Sequence, residues 1–278
     1  MFSSDELNHR LTLVRQRIRR ACERSHRDPS SVTLICVTKG IPADVVGQAV
    51  ALGITDLGEN RVQEAREKQA VLGDRQFRIA DFGLRNEERT QSAIPNSQSA
   101  IQVRWHLIGH LQRNKAKAAV ELFDVIHSLD SVELVEALER YAATTAQGSR
   151  LKVQGTNFQL LTSNFQPLEV FVQVNVSGET TKFGCRPNDL QALARTIMRC
   201  PHLKLSGLMT MAPFSSDPET ARPIFRQLRL LRDHLATAYC LLPTAFRLSM
   251  GMSQDFDVAI EEGADLIRVG TAIFGQQP

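Results

Sequence analysis

The sequence predicts an α/β protein that folds as a single closed (β/α)₈ barrel, a TIM barrel, with an additional N-terminal helix. Eight short apolar runs rich in β-branched residues alternate with helix-like stretches, and such alternation is typical of a parallel sheet. Eight β/α units in roughly 250 residues favour closure of that sheet into a barrel. With 278 residues, 42% of them hydrophobic, the chain suits one large globular domain over residues 1–278.

The elements follow from periodicity. The N-terminal segment predicts an amphipathic helix, because Ser3 or Ser4 can cap it and one apolar stripe recurs at helical spacing. That stripe consists of Leu7, Leu11, Val14, Ile18 and Cys22. The predicted strands are Val32–Lys39, Ile54–Asn60, Arg104–Gly109, Asp124–Asp130, Glu169–Val176, Leu203–Met211, Ala245–Gly251 and Leu266–Gly275.

An open doubly wound sheet is the rival fold. It would need a glycine-rich phosphate loop after its first strand, and here that strand ends in Lys39-Gly40-Ile41-Pro42. Two stretches break the β/α rhythm, at about 73–103 and 142–167, and both are rich in Ser, Thr, Gln and Asn. We interpret them as surface insertions in the barrel.

Composition limits the partners. The net charge of +3 is too small to indicate nucleic acid. The five cysteines are odd in number and form no C-x-x-C pair, which favours a reducing compartment. The sequence has no signal-peptide pattern and no apolar run of membrane-spanning length. We therefore expect a cytoplasmic monomer without membrane or nucleic-acid partners.

Lys39 is the first candidate functional residue. It ends an apolar strand, so we expect it at the carboxyl mouth of the barrel, where active sites of this fold lie. Partial burial there would disfavour its ammonium form and allow Schiff-base formation. The alternative is a lysine whose side chain only extends to solvent at a strand end.

The segments after strands 7 and 8 predict a phosphate cradle. Loops at these positions are the recurrent phosphate site of the barrel, and small residues let backbone N–H groups approach an anion. Arg268, two residues before Gly270, should point into the barrel towards the ligand. A salt bridge with Glu59 or Asp265 remains an alternative for it. The candidate cradle residues are Ser249, Met250, Gly251, Met252, Gly270 and Thr271.

Two further residues are candidate contacts to the ligand ring. Asn60 closes strand 2 and His106 lies in strand 3, and both segments lead to the same mouth. The seven histidines show no metal-ligand spacing, so we predict no metal site. A lysine facing a phosphate cradle is the layout that a phosphorylated aldehyde requires.

The sequence resembles the pyridoxal phosphate homeostasis proteins, which are similar to the barrel domain of alanine racemase. The resemblance runs from Val32 to Gly275 and departs from the family pattern at Gly40, His110 and 183–185. The motifs that carry it are VTKG with Lys39, LGENRVQEAREK, WHLIGHLQRNK, SLDS, VQVNVSGETTKFG, LSGLMTM, LSMGMSQDFDVAIEEGAD and IRVGTAIFG.

The resemblance implies that Lys39 carries pyridoxal 5′-phosphate (PLP) as a Schiff base. It implies a phosphate site at Ser249, Gly251 and Gly270, with Arg268 close to the cofactor. Members of this family are thought to buffer and deliver PLP, with an influence on amino-acid and keto-acid balance and without strong catalysis. PLP-dependent apoenzymes are then possible recipients.

Two other functions stay open from the residues. One is a PLP-dependent racemase, which needs a base on each face of the substrate carbon. In alanine racemase the second base is a tyrosine from another domain, and here only Tyr141 and Tyr239 occur, both in helical segments. The other is an ordinary phosphosugar-binding barrel enzyme, which would carry no PLP.

Overall fold

The computed structural model of the chain describes residues 4–72, 76–77, 101–150 and 166–275. Within them, eight parallel strands form a closed barrel, and each strand pairs with its neighbours along the chain. The last strand pairs with the first and closes the ring, with Ile35 opposite Arg268. The predicted (β/α)₈ barrel is therefore confirmed over the doubly wound sheet.

Every predicted barrel strand is present, and each is shorter than its predicted segment. Most residues at the ends of these segments form loops instead. The predicted eighth strand, Leu266–Gly275, needs a further correction: the strand ends at Val269, Gly270 caps a helix, and Thr271–Phe274 are helical. The strands are β1 (Thr33–Val37), β2 (Asp56–Glu59), β3 (Arg104–Leu107), β4 (Val125–Leu129), β5 (Leu168–Gln173), β6 (Leu203–Met209), β7 (Arg247–Ser249) and β8 (Leu266–Val269).

Helices follow the strands and surround the barrel. The helices are α1 (Ser4–Arg24), α2 (Ala43–Ala51), α3 (Val62–Leu72), α4 (Ala116–Leu122), α5 (Val132–Arg150), α6 (Leu190–Met198), α7 (Arg222–Ala238), α8 (Phe256–Glu261) and α9 (Thr271–Phe274).

The predicted N-terminal helix is confirmed, and it completes the helical ring. Helix α9, which follows β8, has a single turn. Helix α1 packs against both α9 and α8. The predicted stripe of α1, from Leu7 to Cys22, is buried in this contact. Arg17 and Arg24 add ion pairs to Asp257 and Glu261 of α8.

Two expectations need correction. Lys39 is not a partly buried strand residue: β1 ends at Val37, and Lys39 is exposed in the following turn, because the chain leaves the barrel wall at the open mouth. The predicted insertion at 142–167 begins as helix, since α5 continues to Arg150. In the other insertion, Gln76–Phe77 pairs with Ile101–Gln102, and residues 73–75, 78–100 and 151–165 lie outside the described residues.

The barrel interior is unusually polar. Its apolar part is a small cluster of Ile35, Val125, Phe171, Met209 and Leu266, whereas the main hydrophobic core lies between the strands and the helices. Bulky aliphatic side chains usually fill the interior of such a barrel. The interior of this barrel must therefore satisfy several buried polar groups by hydrogen bonding.

Candidate functional site

The closure of the barrel brings the ends of β1 and β8 together at the mouth. A Cβ atom added to Gly270, directly after β8, would lie 3.2 Å from the Val37 carbonyl oxygen at the end of β1. Lys39 follows Val37 by two residues. The predicted lysine and the predicted cradle are therefore neighbours in space.

Ser253 defines the cradle beside Gly270. Its hydroxyl accepts hydrogen bonds from the N–H groups of Gly270 (3.3 Å) and Ala272 (3.2 Å), and Thr271 between them is exposed. Amide groups that converge on one oxygen suit an anion. Ser253 was absent from the predicted site residues, although it ends the glycine-containing segment that predicted the cradle.

The turn after β7 holds Ser253 in place. Gly251 at its start has a φ of +93°, and a Cβ there would lie 2.6 Å from that of Ala259. The Met252 N–H donates to the Asp255 carboxylate, and Arg17 of α1 donates to the Ser253 carbonyl. The side chain of Met250 is buried in the core outside the barrel. Gly251 and Met252 thus shape the cradle through their backbone.

Arg268 points into the barrel, as expected, and is 4% exposed. Its guanidinium donates to the Ser249 hydroxyl (2.6 Å) and to the Thr210 carbonyl (2.8 Å). Burial lowers the pKa of Arg268 to about 10, against the charge of Asp255, so the guanidinium remains a cation at neutral pH. Glu59 and Asp265, its alternative partners, pair with Lys68 and Arg27.

A row of buried side chains, here called the interior chain, runs from Arg268 across the barrel. Ser249 Oγ lies 2.9 Å from His127 Nδ1, and His127 Nε2 lies 3.0 Å from His106 Nδ1. His106 Nε2 lies 2.9 Å from Asp56 Oδ1. Ser249 and His106, predicted as ligand contacts, therefore have side chains that are fully buried and bonded to one another through His127.

Burial lowers the pKa of His106, and lowers that of His127 well below its usual value of 6.5. Burial opposes ionisation of Asp56, but the interaction with His106, the hydrogen bond from Thr55 and the charge of Arg104 together outweigh it, and the pKa of this carboxyl is lowered. The interior chain therefore has a carboxylate at one end, a guanidinium at the other and neutral imidazoles between them.

We expect the free energy of unfolding to fall as the pH decreases below about 6.5. The two histidines then bind protons in the unfolded chain and not in the folded one, which costs about 1.4 kcal/mol per pH unit for each histidine. Urea titrations at pH 7.5 and 5.5 test this, with His127→Phe as the control that removes one contribution. The prediction would be contradicted if the difference in the free energy of unfolding between the wild type and His127→Phe were the same at both pH values.

A second buried polar cluster supports the turn that carries Lys39. Lys68 of α3 donates to the Thr38 carbonyl and to Glu59 Oε1, both at 2.5 Å, and the Thr38 hydroxyl also donates to Glu59. Glu59 is fully buried, its Oε2 has no hydrogen-bond partner among the described residues, and burial raises its pKa. The lysine side chain thus fixes the backbone next to Lys39.

The rim of the mouth across from β1 and β8 contains two positions at which the sequence departs from the family pattern. The rings of His110 and Phe183 stack with centroids 3.8 Å apart, and His110 Nδ1 lies 3.7 Å from Asp130. The two departures are therefore one contact between the loops after β3 and β5. Asn60, a predicted ring contact, follows β2 and is partly exposed, and its backbone packs against Gly109.

The described residues contain no group of three His, Cys, Asp or Glu side chains placed to hold a metal ion. No helix among them is long and apolar enough to cross a membrane.

Known proteins resemble the chain over nearly its full length. Residues 10–278 match the family described as "Alanine racemase, N-terminal domain". The pyridoxal phosphate homeostasis protein of Aquifex aeolicus is 36% identical over 269 residues, which is 96% of this chain and 97% of that protein. The protein of the same name from Escherichia coli is 31% identical over 271 residues, with 98% and 97% covered.

Solved structures with a similar fold include PipY and an alanine racemase. PipY of Synechococcus elongatus, solved with PLP bound, has a TM-score of 0.70 and 32% identity, covering 97% of this chain and 100% of PipY. Alanine racemase of Clostridium difficile has a TM-score of 0.63 at 13% identity, and covers 99% of this chain but 57% of the racemase. The racemase shares the fold. The chain therefore belongs to the family of pyridoxal phosphate homeostasis proteins, whose barrel is that of the alanine racemase N-terminal domain.

Proposed function

We propose that this protein binds PLP at the mouth of the barrel, attached through Lys39, and serves as an intracellular holder and donor of the cofactor. The observation that supports the proposal is the contact between β1 and β8, because Gly270, which donates to Ser253, lies against Val37, two residues before Lys39. Its relatives bear the name of PLP homeostasis proteins, and PipY was solved with PLP bound.

The donors at the mouth fit this cofactor. Two amides and the Ser253 hydroxyl converge beside the exposed Thr271, which suits a phosphate. Within the described part of the chain, the buried Arg268 cation hydrogen-bonds to a hydroxyl and a carbonyl and not to a carboxylate, so an anionic ligand would balance its charge. When bound, PLP supplies an aldehyde that reacts reversibly with an amine and a ring that withdraws electrons.

The residues of the site favour a holder over an enzyme. An arginine facing the pyridine nitrogen would not give it a proton, because a guanidinium keeps its own. Burial raises the pKa of Cys185, beside the mouth, to about 12, so its thiol is a poor base. Both tyrosines of the chain lie in the outer helical layer and pack against the core there. Neither tyrosine is therefore placed to act as the second base of a racemase.

An absorbance spectrum before and after borohydride reduction tests PLP binding. A colourless protein whose spectrum shows no bound PLP after PLP is added would favour the phosphosugar alternative. We then expect no turnover above the background of free PLP when the loaded protein is incubated with L- and D-amino acids. Chirality and keto-acid formation are the measurements. Racemisation at about 1 s⁻¹, a low but ordinary enzymatic rate, would refute the holder and restore the racemase.

Gly270→Val is expected to weaken PLP binding by roughly 5- to 150-fold, since overpacking of this kind costs about 1–3 kcal/mol. The new side chain would press on Val37 and move the cradle away from the Lys39 turn. Titration with PLP and with pyridoxal separates the causes, because pyridoxal lacks the phosphate. Equal affinity of the wild-type protein for the two compounds would contradict a phosphate cradle.

A further inference from the structure

The interior chain admits one arrangement of hydrogens while both histidines are neutral. Asp56 at one end can only accept, so His106 Nε2 carries a proton and His106 Nδ1 has a free electron pair. His127 must then donate from Nε2 to His106, which leaves His127 Nδ1 as an acceptor. Ser249 fills that acceptor with its hydroxyl proton.

Arg268, at the other end of the interior chain, requires the same direction of donation along its hydrogen bonds. A guanidinium only donates, and its bond of 2.6 Å needs an electron pair on Ser249 Oγ. Ser249 offers one because its proton points to His127. All four bonds are thus satisfied together, and each depends on the next.

We infer that His127 is a positioning residue for Arg268 and acts through Ser249. The inference rests on the proposed function, because Arg268 matters to a ligand only if PLP occupies the mouth. By taking the hydroxyl proton of Ser249, His127 keeps an acceptor turned to the guanidinium. The Thr210 carbonyl holds the other side. These two anchors fix the guanidinium inside the barrel, close to the mouth.

The packing of His127 supports this role. Its ring stacks on Phe171 with centroids 4.6 Å apart and planes 2° from parallel, which holds the plane in which both nitrogens lie. Three arginines, at positions 104, 247 and 268, disfavour a charge on it. A ring that only filled space would be replaced by phenylalanine without consequence for the ligand.

Three substitutions separate positioning from space filling. Asparagine places its amide near the position of Nδ1 and can still accept from Ser249, whereas glutamine reaches the position of Nε2 and His106. We expect His127→Asn to keep the affinity for PLP within about threefold, and His127→Gln and His127→Phe to lose about tenfold, the effect of one hydrogen bond. The measurements are PLP titration by absorbance and urea denaturation of each purified variant.

Ser249→Ala gives a second route that leaves His127 intact. It should lose about as much affinity as His127→Gln, and should also change the absorbance maximum of bound PLP, because the cation beside the ligand moves. Equal PLP affinity of the wild type, His127→Phe and Ser249→Ala would overturn the positioning role.

Side-chain ¹⁵N NMR of the ligand-free protein makes the test independent of the proposed function. We expect the proton on Nε2 in both His106 and His127 at neutral pH. A proton on His127 Nδ1 would overturn the inference even if PLP binds. If the wild type does not bind PLP, the proposed function fails, and the role of His127 towards PLP fails with it. Protons on both Nε2 atoms would still establish the direction of the hydrogen bonds in the interior chain.

Discussion

Replacement of Lys39 by alanine is expected to abolish the borohydride-fixed attachment of PLP, from near one cofactor per chain to background. Lys39 is exposed in the turn after β1, next to the cradle at Gly270. The amine is therefore accessible to an aldehyde whose phosphate occupies that cradle. Lys68, the other primary amine beside this turn, is buried and paired with Glu59.

Peptide mapping of the reduced wild-type protein measures this result. Lys182→Ala is the matched control, because Lys182 lies in the loop after β5, on another part of the rim, and pairs with Glu179. This control should keep the full label. Label found in the wild type on Lys182 or Lys115 instead of Lys39 would contradict the assignment.

Lys68→Met is expected to destabilise the fold by about 3–5 kcal/mol, the usual cost of removing one partner of a buried ion pair. Glu59 would remain fully buried with neither oxygen facing a cation, and the Thr38 carbonyl would lose its donor. The methionine fills a similar volume, so the effect is mainly electrostatic. Urea denaturation measures the change.

Two controls define the cause. The double variant Glu59→Gln/Lys68→Met should recover more than half of the loss, because a neutral amide needs no counter-charge. Arg66→Met on the same helix removes an exposed pair with Glu121 at 4.0 Å and should cost less than about 0.5 kcal/mol. A single Lys68→Met variant as stable as the double variant would refute a strong buried pair.

The fold could be predicted from the sequence because its signals are local. Each barrel strand is a short apolar run that ends in glycine or polar residues, and the stripe of α1 repeats at helical spacing. The prediction of a closed barrel already implies that β1 pairs with β8. The ends of these two strands, which lead to Lys39 and Gly270, are then expected to be neighbours, whatever the positions of their side chains.

The polar interior could not be predicted in this way. His127 lies in an apolar strand, and a single sequence does not say whether its side chain faces the barrel or the helices. Its one signal is the spacing of two residues from Val125, which the structure places inside. Lys68 occurs in a charged helical stretch and looks like a solvated residue, and only packing against the ends of β1 and β2 buries it.

The contact of α1 with α8 and α9 has a consequence for biosynthesis. Arg17 donates to a carbonyl that follows it by 236 residues, and the main contacts of α1 are those with α8 and α9, so these contacts can form only after both helices have been translated. Such long-range contacts form late and slow the folding of a domain. Helix α1 is thus among the last elements to dock, although it precedes the barrel in the sequence, and its docking completes the support of Ser253. A nascent chain would acquire the arrangement around Ser253 only after α9 has been translated, when α1 closes the ring.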